Sequence, residues 1–294
     1  MSQRAIVFGG SGFLGSHVAE QLLEKGYDVT VFDRISSPFL KPGQKMIVGD
    51  IQDANYVKTV VKGHDVVFNF AGLSDLDSGA SQPLEVVQQN IAGTISLLNA
   101  AVEAKVQRFV LASTIYVYSN LGGFYRCSKQ AAELFVEEFK RRCELDFTIL
   151  RYGSLYGTRA NRSNGIRRLL IQALAEGKIT YPGTGDEMRE YIHVKDAARL
   201  TVDILSQEYK NKHIVITGHH PMKTREMMAM ICEILKKDIK LEFSSDLSNN
   251  VHYTLTPYSF TPKIGAKLVS NLYVDMGQGL LECLEEISRQ QDKS

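Results

Sequence analysis

The first two-thirds of the chain alternates short apolar runs with amphipathic helices, and that alternation constrains the fold more than any other feature. Ala5-Ile6-Val7-Phe8 is apolar at every position, as a strand covered on both faces of a parallel sheet must be. It runs into Gly9-Gly10-Ser11-Gly12-Phe13-Leu14-Gly15. Leu14, Val18, Leu22 and Leu23 then recur at helical spacing until Gly26 ends the helix. The same reading predicts strands at Val29 to Asp33, Met46 to Val48, Val66 to Phe70, Phe109 to Ala112 and Phe147 to Leu150. It places helices at Ala54 to Lys62, around Leu84 to Val102 and at Tyr125 to Arg142. Strand followed by crossover helix, repeated, predicts an α/β doubly wound parallel sheet of the Rossmann kind.

After Tyr156-Gly157 the pattern loosens into an Arg/Asn/Gly-rich segment and a helix near Ile166 to Glu176, where a second domain is expected. Ile214-Val215-Ile216 reads as a return to the sheet. The expected division is a Rossmann domain over 1–157 plus 191–217 and a smaller C-terminal substrate-binding domain over 158–190 plus 218–294. A Met-rich helix at Arg225 to Leu235 and a terminal helix from Met276, with Asp275 and Gln278 as a capping box, complete the expected elements.

The glycine turn lies between a strand and a helix N-terminus, where unpaired backbone N–H groups and the helix dipole attract an anion. Gly10, Gly12 and Gly15 satisfy one dinucleotide-binding spacing and Gly9, Gly12 and Gly15 another, so the glycines do not choose between families. Asp33, at the end of the second strand, is placed to accept hydrogen bonds from a ribose. Its carboxylate repels a 2′-phosphate and favours NAD over NADP; Arg34 beside it acts in the opposite direction. The cofactor expectation is therefore NAD.

Tyr125 and Lys129 stand one helical turn apart on one face. A phenol beside an ammonium group is expected to ionise more readily and to take a proton from a substrate hydroxyl.

Composition narrows the partners. With 294 residues, 44% hydrophobic and a formal net charge of +1, the chain can bury a full core and carries no global attraction to nucleic acid or an acidic membrane. No apolar stretch reaches membrane-spanning length, and Met1 leads directly into the first strand without a leader. Cys127, Cys143, Cys232 and Cys283 form no Cys-x-x-Cys pair and read as reduced thiols, so a cytoplasmic location is expected.

Several further motifs, in order, resemble those of the extended short-chain dehydrogenase/reductase family, in particular NAD-dependent sugar-nucleotide epimerases and dehydratases of the UDP-glucose/galactose 4-epimerase type. They are Gly49-Asp50-Ile51, Asn69-Phe70-Ala71-Gly72-Leu73, Asn90-Ile91-Ala92-Gly93-Thr94, Ser113-Thr114-Ile115-Tyr116-Val117-Tyr118, Leu150-Arg151-Tyr152 and Arg189-Glu190-Tyr191-Ile192-His193-Val194-Lys195-Asp196. The resemblance implies catalytic roles for Thr114, Tyr125 and Lys129. It implies cofactor contacts from Gly9, Gly12, Phe13, Leu14, Asp33, Arg34, Asp50, Ile51, Phe70, Ala71, Gly72, Asn90, Tyr125, Lys129 and Tyr152. Ser74, Thr114, Ser154 and Arg189 are implied to face the substrate, a nucleoside-diphosphate sugar, with Arg189 on a phosphate. A homodimer formed through two helices per subunit is implied as well.

The chain also departs from that pattern. Dehydratases and decarboxylating relatives carry acids between the catalytic threonine and Val-Tyr, where this chain has Ile115 and Tyr116, which argues against dehydration. Only six residues separate Tyr118 from Tyr125, so a more open site is expected. Ser154 and Ser74 replace an asparagine and a lysine common in epimerases.

Three readings follow: an epimerase, a reductase or dehydrogenase that releases its cofactor, and a non-catalytic nucleotide-binding relative. Arg151, Arg159, Arg162, Arg167 and Arg168 are either a solvated basic stretch or, with Arg189, a grip on pyrophosphate. His219-His220 read as surface residues, His193 as structural, and Met222, Met227, Met228 and Met230 as packing rather than ligands; no metal is expected.

Overall fold

Strand β1 (Arg4–Phe8) lies in the interior of a sheet whose order, β11-β6-β5-β4-β1-β2-β3, runs outward from it in both directions. The computed structural model describes residues 2–74, 81–244 and 255–257. The other strands of this seven-stranded sheet are β2 (Asp28–Asp33), β3 (Lys45–Val48), β4 (Val66–Asn69), β5 (Arg108–Thr114), β6 (Phe147–Tyr152) and β11 (Lys212–Ile216). Every pairing between them is parallel.

Parallel strands need crossovers, and helices provide all of them except the one from β2 to β3, where residues 34–44 contain only turns and irregular backbone. The helices are α1 (Phe13–Glu24), α2 (Ala54–Val61), α3, α4 (Gly123–Cys143) and, before β11, α6 (Val194–Asp203). Helix α3 is α-helical over Pro83–Val86, π-helical over Val87–Ala92 and α-helical again over Gly93–Glu103.

The unbroken apolar run in β1 is divided between the two faces of the sheet. Ile6 and Phe8 join a core with Val57, Leu97, Leu98, Ala132 and Val136 from α2, α3 and α4. Ala5 and Val7 join another with Val18, Leu22, Ala197, Ala198 and Val202 from α1 and α6. Burying each large side chain on this scale contributes about 1.5–3 kcal/mol, so one strand anchors both layers.

A third apolar cluster lies outside these two. Leu169 and Ala173 of α5 (Gly165–Glu176) meet Ile179 of β8 (Lys178–Pro182), Ile239, and Met227, Met228 and Ile231 of α7 (Thr224–Leu235). Met227 and Met228 are therefore packing residues, as expected. Strand β8 pairs in parallel with β13 (Lys240–Ser244). Strands β7 (Ser154–Tyr156), β9 (Met188–Arg189), β10 (Tyr191–His193) and β12 (Met222–Lys223) form small two-stranded pairs, β7 with β10 and β9 with β12. None of these four strands was expected, because two or three residues show no periodicity, and α6 was not expected either. The terminal helix expected from Met276, its cap residues Asp275 and Gln278, and Cys283 lie outside the described residues.

Among the described residues no helix is long and apolar enough to cross a membrane, and no group of His, Cys, Asp and Glu could hold a metal ion. Cys127, Cys143 and Cys232 are free thiols.

Candidate active site

Strand order reverses between β1 and β4: the chain leaves β1 towards β2 and β3, then returns to the other side of β1 as β4. Such a reversal opens a crevice at the C-terminal ends of the strands. Phe8 pairs with Asn69, so the turn after β1 and the loop after β4 emerge side by side. They are so close that a Cβ on Gly9, whose φ is +79°, would stand 2.6 Å from the Ala71 nitrogen. Gly15 is equally constrained, since a Cβ there would meet the Gly9 carbonyl oxygen at 2.3 Å. This is why the turn is glycine-rich: backbone packs directly on backbone.

Helix α1 starts after Gly12 with no side-chain cap and no acidic residue in its first turn. The N–H groups of Phe13 and Leu14 are thus left to an anion. Asp33 stands beside them, its Oδ2 accepting from the Ser11 backbone N–H at 3.0 Å. Arg34 is exposed. Backbone donors next to a carboxylate fit a dinucleotide, with pyrophosphate on the former and ribose on the latter.

Asp50 follows β3 by two residues, and its Oδ1 accepts from the Gln52 N–H at 2.9 Å. The Ile51 side chain is in the core and packs against Gly93, so only its backbone can meet a cofactor.

Asn90, in the π-helical turn of α3, ties the loop after β4 to α4. Its Oδ1 accepts from the Leu73 N–H at 2.7 Å, and its Nδ2 donates to the Leu73 carbonyl and the Ser128 hydroxyl, both at 2.9 Å. The Ser128 hydroxyl donates in turn to the Tyr125 carbonyl at 2.8 Å. Gly72 has φ +147°, and a Cβ there would lie 2.4 Å from Asn90 Oδ1. Phe70, Ala71 and Gly72 are thereby fixed as a wall of the crevice. The extra residue of a π-turn is a common device for turning a polar side chain inward, and both Gln89 and Asn90 are buried.

Helix α4 presents Tyr125, Lys129 and Glu133 on successive turns of one face. Lys129 and Glu133 are only 6% and 5% exposed, and Tyr125 is partly buried. Thr114, the last residue of β5, hydrogen-bonds the Tyr125 side chain through its own. Lys129 Nζ lies 5.8 Å from the centre of the Tyr125 ring and donates to the Ala112 carbonyl at 2.8 Å. The short segment from Tyr118 to Tyr125 is pinned from the helix: Arg126 donates to the Ser119 carbonyl at 3.0 Å, and Gln130 to the Val117 carbonyl at 2.8 Å. Thr114, Tyr125 and Lys129 are thus brought together.

Their electrostatics correct one expectation. Burial pushes the Tyr125 phenol up to about 12, with the Thr114 hydrogen bond pulling the other way. Burial brings Lys129 down to about 8, against the attraction of Glu133. The protein's own groups therefore keep Tyr125 protonated at neutral pH rather than ionised. The Lys129 ammonium is spent on a backbone carbonyl, and desolvation outweighs it.

Other expectations change as well. Tyr152 is buried, with its hydroxyl bonded to Thr201 at 2.6 Å, so its side chain serves the core and not a cofactor. Arg151 grips Glu133 through two nitrogens, at 3.0 and 2.6 Å, and also bonds the Tyr118 hydroxyl. Arg159 pairs with Glu20 at 2.6 Å and stacks on Phe39. Neither is available to grip a pyrophosphate, whereas Arg162, Arg167 and Arg168 are exposed. Of the expected substrate contacts, Arg189 is buried in β9, Ser154 begins β7 opposite Tyr191, and Ser74 is exposed next to residues outside the description. His193 is structural, capping α6 through a hydrogen bond accepted from the Lys195 N–H at 3.3 Å, and His219 and His220 are exposed. Glu133 and Ser128 escaped the sequence reading, and Ser113 entered it only as part of the Ser113-to-Tyr118 motif, with no role of its own; Glu133 was detectable as the next helical turn after Tyr125 and Lys129.

The NAD dependent epimerase/dehydratase family model matches residues 5–217, most of the chain. The chain belongs to that family. A UDP-N-acetyl-alpha-D-glucosaminuronate decarboxylase from Bacillus cytotoxicus is 26% identical over 268 residues, covering 82% of this chain and 83% of that protein. A dTDP-D-glucose 4,6-dehydratase from Mus musculus is 27% identical over 265 residues, 80% of this chain and 74% of that protein. Among solved structures, a UDP-glucuronic acid 4-epimerase variant from Bacillus cereus, in complex with UDP-4-deoxy-4-fluoro-glucuronic acid and NAD, superposes with a TM-score of 0.80 at 23% identity. It covers 88% of this chain and 91% of that one. The family is NAD-dependent, and NAD is the cofactor of this chain. The Rossmann expectation holds.

Proposed function

We propose that the chain is an epimerase of a nucleoside-diphosphate sugar. One observation carries the reading. Thr114, Tyr125 and Lys129 meet at the crevice edge, while the two positions after Thr114 hold Ile115, buried in the core, and Tyr116, with no carboxylate to assist loss of a leaving group. Among the described residues, proton chemistry resting on Tyr125 fits oxidation and re-reduction of a sugar better than dehydration or decarboxylation, the reactions named for two relatives.

When bound, NAD supplies the hydride acceptor and donor, together with a cationic ring whose charge favours the phenolate. Tyr125 takes the proton of the sugar hydroxyl and later returns it, and Thr114 hydrogen-bonds the same oxygen. Lys129 adds a fixed positive charge behind the phenol. Gly9, Gly12, Phe13 and Leu14 would hold the pyrophosphate, Asp33 the ribose, and Arg189 and Ser154 the substrate's nucleotide end.

The division into an NAD-binding domain, 1–157 with 191–217, and a substrate-binding domain of the remaining residues is part of this proposal. It is supported by the separate apolar cluster of α5, β8 and α7. A homodimer is supported by Leu84 and Val87 on α3 and Leu134 and Phe135 on α4, all exposed on helices that pack together. Unpaired thiols suit a reducing cytoplasm.

A panel of UDP-, GDP-, dTDP- and CDP-sugars, followed by NMR for stereochemical change, tests the reading. Inversion at one carbon with no net change in NAD is expected. Net production of NADH, or of NAD+ from NADH, would favour the second reading, a dehydrogenase or reductase on the same Tyr125 and Lys129.

A further inference from the structure

We infer that Thr158 and Arg159 are positioning residues of the NAD site: through Ser16 and His17 they fix the peptide between Phe13 and Leu14, and through Glu20 and Phe39 they seat the loop that follows Asp33. Both act through other side chains.

The chain reaches α1 from β7. Gly157 turns it there with φ +135°, so close to the start of α6 that a Cβ would lie 2.9 Å from His193 Nε2 and 2.8 Å from Val194 Cγ1. Arg159 follows at φ +67°, a left-handed backbone that an arginine keeps only where its surroundings hold it. What holds it is α1 and the loop. Arg159 Nη2 donates to Glu20 Oε2 at 2.6 Å and Nη1 to Ser16 Oγ at 3.4 Å, while the guanidinium stacks 4.7 Å from the centre of the Phe39 ring. Glu20 Oε1 pairs with Lys41 at 3.0 Å, so one carboxylate joins Arg159 to the loop. Residues 34–44 have no helix or strand to order them. The Ser11 hydroxyl ties their start by donating to the Ile35 carbonyl at 2.9 Å, and Arg159 and Glu20 tie their middle.

A second path runs through Ser16 and His17, both 4% exposed, to the peptide that meets the pyrophosphate. The Phe13 carbonyl accepts from the Ser16 hydroxyl at 3.3 Å and from His17 Nδ1 at 2.9 Å. A carbonyl can only accept, so Nδ1 carries the hydrogen. Burial holds the imidazole below its ordinary value and so neutral, which leaves Nε2 to accept from the Thr158 hydroxyl at 3.3 Å. Arg159 and Thr158 thus brace from behind the two side chains that hold this carbonyl. The same peptide unit carries the Leu14 N–H, one of the uncapped donors at the start of α1. Because a peptide is planar, fixing its oxygen fixes the direction of its N–H.

Calorimetry on the full chain tests the assignment with two probes, NAD and ADP-ribose, which carries the pyrophosphate and adenosine but no nicotinamide. Arg159→Met should weaken both probes by the same factor of about ten, and Thr158→Val by about three. Thr158→Ser, which restores the hydroxyl, should bind NAD within about twofold of wild type. The protein without ligand gives a second readout by NMR. There the Leu14 amide resonance should move in Thr158→Val and return in Thr158→Ser, while the amides of β4 stay in place. A lower melting temperature with NAD affinity within about twofold of wild type in both Arg159→Met and Thr158→Val overturns the inference. So does a loss confined to NAD with ADP-ribose unaffected, since that would place the defect at the nicotinamide end. If Arg159→Met does not melt cooperatively, Thr158→Val, whose side chain has the same shape as the original, carries the test alone. Neither measurement needs a sugar, so the inference can fail while the epimerase reading stands, and the reverse.

Discussion

Asn90→Ala should both destabilise the fold and weaken NAD binding, through one side chain that touches no reacting atom. Asn90 is 1% exposed and makes three hydrogen bonds, two with the Leu73 backbone and one with Ser128. At about 1 kcal/mol net for each bond, their loss costs about 3 kcal/mol. A small cavity would add to this, and the partial exposure of Leu73 to water would reduce it. For 294 residues the unfolding entropy is about 0.6 kcal/mol/K, so the melting temperature should fall by about 5 °C. The freed loop is the wall formed by Phe70, Ala71 and Gly72. Re-ordering it around the cofactor costs about 1–2 kcal/mol, which calorimetry would read as about tenfold weaker NAD binding. Asn90→Asp should behave nearly as badly, since it keeps the acceptor for Leu73 but loses both donations. A melting temperature within about 1 °C of wild type, with unchanged NAD affinity, would refute the clamp.

Tyr125→Phe keeps the ring and removes the proton site, so turnover on the true substrate should fall by about two to four powers of ten, with NAD binding by calorimetry largely spared. Near-full activity would remove Tyr125 from the mechanism. Gly15→Ala places a methyl 2.3 Å from the Gly9 carbonyl oxygen and 3.0 Å from the Gly10 Cα, both backbone atoms that cannot swing aside. It should cost about 1–3 kcal/mol by denaturant titration and weaken NAD more than tenfold. The lowered Lys129 value gives a stability difference of defined sign. Between about 8 and the ordinary lysine value of 10.5, the unfolded chain holds a proton that the folded chain has released, so folding is favoured increasingly as pH rises. Compared with Lys129→Met, the wild type should gain on the order of 1–2 kcal/mol from pH 8 to pH 10. Above pH 10 the raised Tyr125 value works in the opposite direction and should reverse the trend.

What was legible in the sequence follows from what is local. The strand-helix alternation, the glycine turn, Asp33 and the Tyr125-Lys129 spacing are all properties of contiguous residues, and each lies where the periodicity placed it. Strand β5 proved longer than its apolar run, reaching Thr114, because polar residues at a strand end satisfy a ladder as well as apolar ones do. The short strands β7, β9, β10 and β12 were illegible because their order comes from partners far along the chain. Arg151 and Tyr152 were misjudged for a related reason. The sequence gives their residue type, but only packing shows that Glu133 and Thr201 already occupy them.

The titration of Tyr125 went astray in the same way, and the reason generalises. Helical spacing says that an ammonium and a phenol share a face; it does not say which group each will meet, nor how dry that face is. Here the ammonium is turned to a strand carbonyl, and desolvation penalises both charged forms at once, raising the phenol and lowering the lysine. A pair tuned only by each other would move towards two charges. This pair is held near the protonated phenol and a lysine only just charged at neutral pH. Each is therefore sensitive to any further charge brought into the crevice, since a shift of one pKa unit is only about 1.4 kcal/mol. That sensitivity is the property a proton-transfer site needs, and the sheet provides it by burying Lys129 and Glu133 beneath a helix whose first turn still reaches the crevice.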